Sequence, residues 1–221
     1  MKVVTLVPWR GGDELREQSW DIVRPYLDRF GWRIYLGDRE GPWSRGAAIN
    51  AAARDAGNWD VAVIADADTI PPEGLDAAVV TALRNGGGVR PHDDLYRLTP
   101  SGSIAAANRG TAALEPRHIE REHPGGGFLI VAREGWDRVG GFDERFVGWG
   151  HEDSSLNIQL LLKADWDRIP GEAHHLWHPE PERKTVNYRR NRQLLDRMRR
   201  ENALAIRAAA QRKDYDIGAV L

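Results

Sequence analysis

The run Val61-Ala62-Val63-Ile64-Ala65 passes without a break into Asp66-Ala67-Asp68-Thr69, and few folds tolerate that juxtaposition. A continuous apolar run of this length predicts a strand covered on both faces, as inside an α/β sheet. Two carboxylates then stand at the strand end, where burying their charge is costly unless a cation lies close. Hard oxygen ligands suit Mg²⁺ or Mn²⁺, and such an ion can bridge a diphosphate. Asp-x-Asp occurs by chance in many chains; at the end of an apolar strand it is far more specific.

The preceding segments fit the same architecture. Val3-Val4-Thr5-Leu6-Val7 predicts another buried strand, ending at Pro8-Trp9-Arg10-Gly11-Gly12-Asp13, with Asp13 placed to cap a helix. Leu15, Ile22 and Tyr26 give that helix an apolar stripe. Strand, glycine turn and helix open a nucleotide-binding unit, in which ligands sit beyond the carboxyl ends of strands. Arg10 lies at such an end, as either a surface arginine or a nucleotide contact. Arg33-Ile34-Tyr35-Leu36 predicts the next strand, and Ser44 caps an alanine-rich helix stopped by Gly57. Arg45 stands in the first turn of that helix, a poor place for a cation unless an anion lies near, and helix amino ends bind phosphate. A helix from Pro71-Pro72 to about Arg84 follows. Residues 85–124 show little periodicity and read as a mobile loop over a ligand, with Asp93, Asp94, Tyr96 and Arg97 unassigned.

Residues 125–153 combine a glycine-rich opening, a strand from Phe128 to Ala132 and a loop ending Gly148-Trp149-Gly150-His151-Glu152-Asp153. Singly these are turn glycines and a helix-capping acidic pair. Together they bring backbone close to a ligand, beside a flat indole wall on which a sugar ring can lie. A helix from Ser154 to Lys163, with Leu156, Leu160 and Leu161 inward, precedes a short strand from Trp166 to Ile169. His175 and His178 then follow at a spacing of three; a lone histidine is more often structural, but imidazole favours Mn²⁺ over Mg²⁺ as a ligand.

These segments, in this order, resemble the β-1,4-galactosyltransferases and their relatives among the polypeptide GalNAc-transferases. The resemblance rests on Pro8-Trp9-Arg10, on Trp43-Ser44-Arg45-Gly46-Ala47 with Asn50, on Asp66-x-Asp68 and on the 125–153 block. It implies a GT-A fold: a mixed, mostly parallel sheet flanked by helices. It implies a transferase moving a hexose from a UDP-sugar donor to a hydroxyl acceptor, with Mn²⁺ or Mg²⁺ as cofactor. On this resemblance Pro8, Arg10, Arg45, Asp66, Gly126 and Trp149 contact the nucleotide-sugar, while Asn50 is structural. Asp68, Asp66 and His178, with His175 second, hold the metal. Asp153 takes the acceptor proton, and Glu152 positions the acceptor. Glu-Asp resembles the inverting members, whereas the retaining ones carry Glu-Asn. His151, Ser154 and Ser155 depart from the galactosyltransferase pattern and leave the acceptor open.

Composition narrows the remainder. A chain of 221 residues with 41% hydrophobic content suits one core plus an appendage: a catalytic domain at 1–181 and a basic helical extension at 182–221. The net charge of −2 gives no global attraction to nucleic acid, and the lack of cysteine excludes disulfides and thiolate metal sites. With no apolar stretch near the ~18 residues of a membrane span, neither signal peptide nor anchor is expected, and the setting expected is cytoplasmic. Nine tryptophans serve the core, with some available for sugar faces. The basic segment from Arg183 to Lys213 carries Leu194, Leu195, Met198, Ala205 and Ile206 on a packing stripe. Its charge also admits an anionic partner, nucleic acid or lipid. Two other classes use parts of this pattern: a metal-dependent nucleotidyltransferase or nucleotide-sugar hydrolase, and a non-catalytic carbohydrate-binding protein.

Overall fold

The structure, a computed structural model, describes residues 1–109, 114, 116–121, 126–179 and 185–212. The buried strand β1 (Val3–Pro8) is followed by α1 (Glu14–Asp28), whose first turn is closed by the Asp13 carboxylate accepting from the Arg16 amide. Next come β2 (Arg33–Gly37), the Ser44-capped α2 (Arg45–Ala56) and β3 (Val61–Ala65). The short β4 (Thr69–Ile70) leads to α3 (Leu75–Asn85) and β5 (Gly88–Arg90). Then follow β6 (Asp94–Leu98), α4 (Pro100–Arg109), β7 (Pro116–Arg121) and β8 (Phe128–Ala132). The remainder comprises α5 (Arg133–Val139), α6 (Glu152–Lys163), β9 (Trp166–Arg168), β10 (Glu172–His175), α7 (Val186–Glu201) and α8 (Ala203–Arg212).

Six strands form the main sheet in the order β2-β1-β3-β8-β5-β9. The pairs β1–β2, β1–β3 and β5–β9 are parallel, and β8 runs antiparallel between β3 and β5. Because β1 pairs with β2 on one side and β3 on the other, the order in which strands are added reverses between β1 and β3. Carboxyl ends at such a reversal leave a crevice, and Arg10 and Asp66 follow those two ends. Alternation along the strands divides the core. Val4, Leu6, Ala62 and Ile64 face α2 and α6, while Val7, Val61, Val63 and Ala65 face α1 and α3.

A second sheet, β4-β10-β6-β7, stands at the carboxyl end of β3. Residues 85–124 are therefore not the structureless loop expected from sequence; β5, β6, α4 and β7 occupy most of the segment, and 110–113, 115 and 122–124 lie outside the described residues. Its strands escape notice because β5 has three residues and α4 interrupts the β6–β7 hairpin, so no window holds a full period. Another expectation needs correction in α1, whose buried face is Ser19, Trp20, Val23 and Leu27, whereas Leu15 is exposed. Trp20 supplies the largest apolar surface and rotates the stripe toward itself. In the basic C-terminal segment, Leu195 of α7 and Ile206 of α8 join the core beside Leu156 and Leu160, while Ala205 faces out. No helix among the described residues is long and apolar enough to cross a membrane.

Candidate functional site

Backbone pairing brings the distant site segments together. Asp66 and Gly127 exchange main-chain contact, with the Asp66 amide donating to the Gly127 carbonyl at 3.1 Å and the Gly127 amide donating to Asp66 Oδ2 at 2.9 Å. Gly127 has φ +74°, and a Cβ there would lie 2.8 Å from His92 Nε2, so this approach requires glycine. The Leu176 amide donates to the Asp68 carbonyl at 2.7 Å, which locks the chain after β10 onto the Asp-x-Asp turn.

That lock creates the metal-ligand cluster. His175 Nε2 lies 3.7 Å from Asp68 Oδ1, and His178 Nε2 lies 3.6 Å from Asp68 Oδ2. Potential ligand atoms of Asp68, His175 and His178 all fall within 4.8 Å of one another. Each imidazole places Nδ1 2.7 Å from a backbone carbonyl, of Leu176 and Pro179 respectively. A carbonyl can only accept, so both Nδ1 atoms carry a proton, and Nε2 is the ring atom that faces Asp68 and is available to a metal. Burial lowers the His175 pKa and keeps the ring neutral, as a ligand must be. Burial opposes the Asp68 charge, but positive charge on the two imidazoles in their protonated form, together with the Thr69 hydroxyl, holds its carboxyl below the usual range. One carboxylate and two preset imidazoles make a donor set that fits a divalent ion at the Mn²⁺ end of the hard series.

Asp66 does not join this cluster. Arg45, in the first turn of α2, reaches Asp66 Oδ1 at 2.7 Å and Asp153 Oδ1 at 2.5 Å, with Glu152 Oε1 3.9 Å away. The anion that its position demands is thus supplied by the protein's own carboxylates. Burial opposes the guanidinium charge, yet Asp153, Asp66 and Glu152 together raise its pKa. Burial pushes Asp66 up to about 6 against the pull of Arg45. Burial and the Asp153 charge push Glu152 up to about 7, and its Oε2 is buried without a hydrogen-bond partner.

Three polar side chains of α7, none of them anticipated, hold the loop that carries this acidic pair. Fully buried Asn191 donates to the carbonyls of Val147 and Gly150 at 3.0 and 3.1 Å and accepts from the Val147 amide at 3.3 Å. Tyr188 stacks on Trp149 with ring centroids 5.4 Å apart, and Asn187 covers Gly148. A Cβ at Gly150 would meet the Tyr188 ring at 3.0 Å. His151, with φ 76°, is the one non-glycine residue at positive φ among those described. Strain of this kind persists where the surroundings fix it, and here Tyr188 and the start of α6 do so. A sequence signal for Asn191 did exist: it lies four residues before Leu195 and seven before Met198, on the packing stripe of an arginine-rich helix.

At the β1 end, Arg10 is clamped to Asp38 by donors at 2.8 and 3.0 Å and also donates to the Gly41 carbonyl at 3.0 Å. The guanidinium carbons of Arg10 and Arg16 lie 5.2 and 5.4 Å from the Trp43 ring centroid. Asn50 spends its amide on Phe142 and Glu144, inside the fold. Two hollows meet at the cluster and share Arg97, Trp149, His175 and His178. One, of about 250 Å³, is bounded by Arg45, Asp66, Gly126, Glu152 and Asp153; the other, of about 650 Å³, runs over β6 and β7. A hollow of about 560 Å³ around Trp59, Trp136 and Phe142 contains none of these groups.

Residues 111–179 match the family model described as the N-terminal domain of galactosyltransferase. A curated relative, β-1,4-galactosyltransferase 4 of Cricetulus griseus, is 22% identical over 168 residues, covering 73% of this chain and 43% of that protein. The chain thus spans less than half the length of that relative. Among solved structures, the catalytic domain of Drosophila β-1,4-galactosyltransferase 7 in complex with xylobiose aligns with TM-score 0.53 at 19% identity. That alignment covers 86% of this chain and 79% of the other. GalNAc-T7 with UDP, GalNAc and Mn²⁺ aligns with TM-score 0.51 at 15% identity, over 86% of this chain and 41% of that one. The fold is GT-A, as the sequence led us to expect, and the chain resembles the galactosyltransferase group.

Proposed function

We propose that this chain is a metal-dependent glycosyltransferase that moves a hexose from a nucleoside diphosphate sugar, UDP-hexose by preference, to a hydroxyl acceptor with inversion. The observation that carries the proposal is the placement of two differently built charge centres on one cavity. Asp68, His175 and His178 form a divalent-cation site at the end of β3, and Glu152-Asp153 stands across from it on a loop walled by aromatic rings. The likeness to a structure containing UDP, GalNAc and Mn²⁺ supports the choice of nucleotide and ion.

Asp68, His175 and His178 would hold Mn²⁺ or Mg²⁺, and the chemistry such an ion supplies is neutralisation of charge on the departing diphosphate. The protein's own residues do the rest. Arg45 ties down Asp153 Oδ1 and leaves Oδ2 to accept the proton of the acceptor hydroxyl. As that proton moves, the acceptor oxygen bonds to the anomeric carbon and the bond from that carbon to the diphosphate breaks. Attack from the acceptor side, opposite the diphosphate, inverts the centre. Trp149, with Tyr188 stacked behind it, offers a rigid face for the acceptor ring, and Asn191 fixes the loop that carries it.

The test is product stereochemistry and release of UDP, followed by NMR across a panel of UDP-sugars and hydroxyl acceptors with Mn²⁺ present. The proposal expects acceptor-dependent UDP release and inverted configuration. A retained configuration sinks the inversion, and UDP release that no acceptor stimulates sinks the transferase reading.

A further inference from the structure

The larger of the two hollows at the cluster, about 650 Å³, is of the size that binds small ligands, and the reaction outlined above leaves it unfilled. Its floor follows from strand register. His175 on β10 pairs with Arg97 on β6, and Arg97 pairs with His118 on β7, so the three side chains share one face of the second sheet in a single row. At the β6–β7 irregularity the exposed Arg117 also lines the cavity. Among the described lining residues the carboxylate is Glu120, which is held by Arg97 Nε at 2.5 Å. The walls are Trp149 and Trp177, and α4 fixes the second of these through Ser103 Oγ, which accepts from the Trp177 amide at 2.7 Å.

From His175 to His118 the row crosses two strand spacings, on the order of 10 Å. A diphosphate coordinated at Asp68 does not reach that far. The lining also includes no residue of β1 or of the Arg10–Trp43 region. What fills the far end is therefore a different part of the reactants, and the cavity's chemistry states its class: cationic and imidazole donors at the end, indole faces along the sides. Charge-assisted hydrogen bonds from such donors select an anionic group, and the indoles suit the apolar face of a sugar ring.

We propose that this cavity is an acceptor subsite for an acidic sugar, with Arg117 and His118 holding a carboxylate or phosphate on the acceptor and Trp177 and Trp149 flanking its ring. The inference rests on the glycosyltransferase reading and supplies its acceptor class. It also accounts for the β6–α4–β7 segment, which builds both the cationic end and the support of Trp177.

The test uses the full chain loaded with UDP and Mn²⁺, titrated by NMR with methyl glycosides of glucuronic and galacturonic acids, the corresponding hexoside 6-phosphates, and the neutral hexosides. We expect one anionic class to bind at least tenfold more tightly than its neutral parent, and the uronate and phosphate arms show which group is held. Arg117→Ala/His118→Ala should erase that preference and leave UDP affinity within twofold. Equal binding of neutral and anionic glycosides by the wild type, or a preference that survives in the double variant, overturns the subsite. Loss of UDP affinity in the variant assigns the cavity to the donor and overturns it as well. Failure of the wild type to bind UDP at all would instead strike the transferase reading, which separates the two.

Discussion

Asp66 and Asp68 stand two residues apart at the end of β3, both half-buried, and meet opposite fates. Asp66, Glu152 and Asp153 converge on Arg45, so the protein provides their counter-cation. Asp68 instead faces the Nε2 atoms of two imidazoles, which become metal ligands on losing their protons rather than serving as a fixed counter-charge. One centre carries its counter-charge within the protein, and the other is a set of side chains that could hold a metal ion. The contrast teaches that Asp-x-Asp is not one unit: its first carboxylate pairs with Arg45, and its second faces the two imidazoles.

The largest expected effect is catalytic. Asp153→Asn keeps the shape and the Arg45 contact but removes the base, and turnover should fall about 10²–10⁴-fold. UDP affinity, which belongs to the other centre, should hardly move. A near-normal rate in this variant would break the division of labour.

Stability should separate the centres next. Arg45→Met strands the buried Glu152 and the half-buried Asp66 and Asp153, and chemical denaturation should register a loss of about 3 kcal/mol. Asp68→Ala removes a carboxylate that protonated imidazoles and Thr69 favour, on a side chain 29% exposed, so apo stability should fall by less, by about 1 kcal/mol at most. Equal losses in both variants would show that the two centres are energetically alike.

Glu152 sharpens the comparison through pH. Burial first, then the Asp153 charge, raises it to about 7 from an ordinary 4.5. Between those values the folded state binds more protons than the unfolded state, so this group costs stability as pH rises through the window, by up to about 1.4 kcal/mol per unit. Glu152→Gln removes the cost, and its advantage over the wild type should therefore grow from pH 4.5 to 7. Parallel stability curves for the two proteins would remove Glu152 from the account. The smallest effect belongs to the exposed side of α7, far from either centre in function: Arg189→Glu/Arg190→Glu should shift stability by no more than about 0.5 kcal/mol and leave UDP binding alone.

What the sequence disclosed was whatever local pattern decides. Apolar runs placed β1, β3 and β8, caps placed α1 and α2, and spacing suggested that His175 and His178 could act together. Arg45 shows the boundary of that method. Its misplacement in a first turn signalled a nearby anion, but only the tertiary fold shows that Asp66, Asp153 and Glu152 lie within its reach. Residues 85–124 were illegible because their strands gain their order from pairing with β8, β9 and β10, not from their own periodicity. Tyr188 and Asn191 were hidden in a helix whose arginines dominate its composition, although Asn191 stands on the apolar stripe.

The central claim is that Asp68, His175 and His178 hold a cation through which the nucleotide is bound. Calorimetric titration of UDP into the full chain, with Mn²⁺ and then with excess EDTA, tests it most directly. Binding that is tight with Mn²⁺, collapses with EDTA and returns when Mn²⁺ is restored is the predicted result. UDP affinity that is the same in both conditions would contradict it.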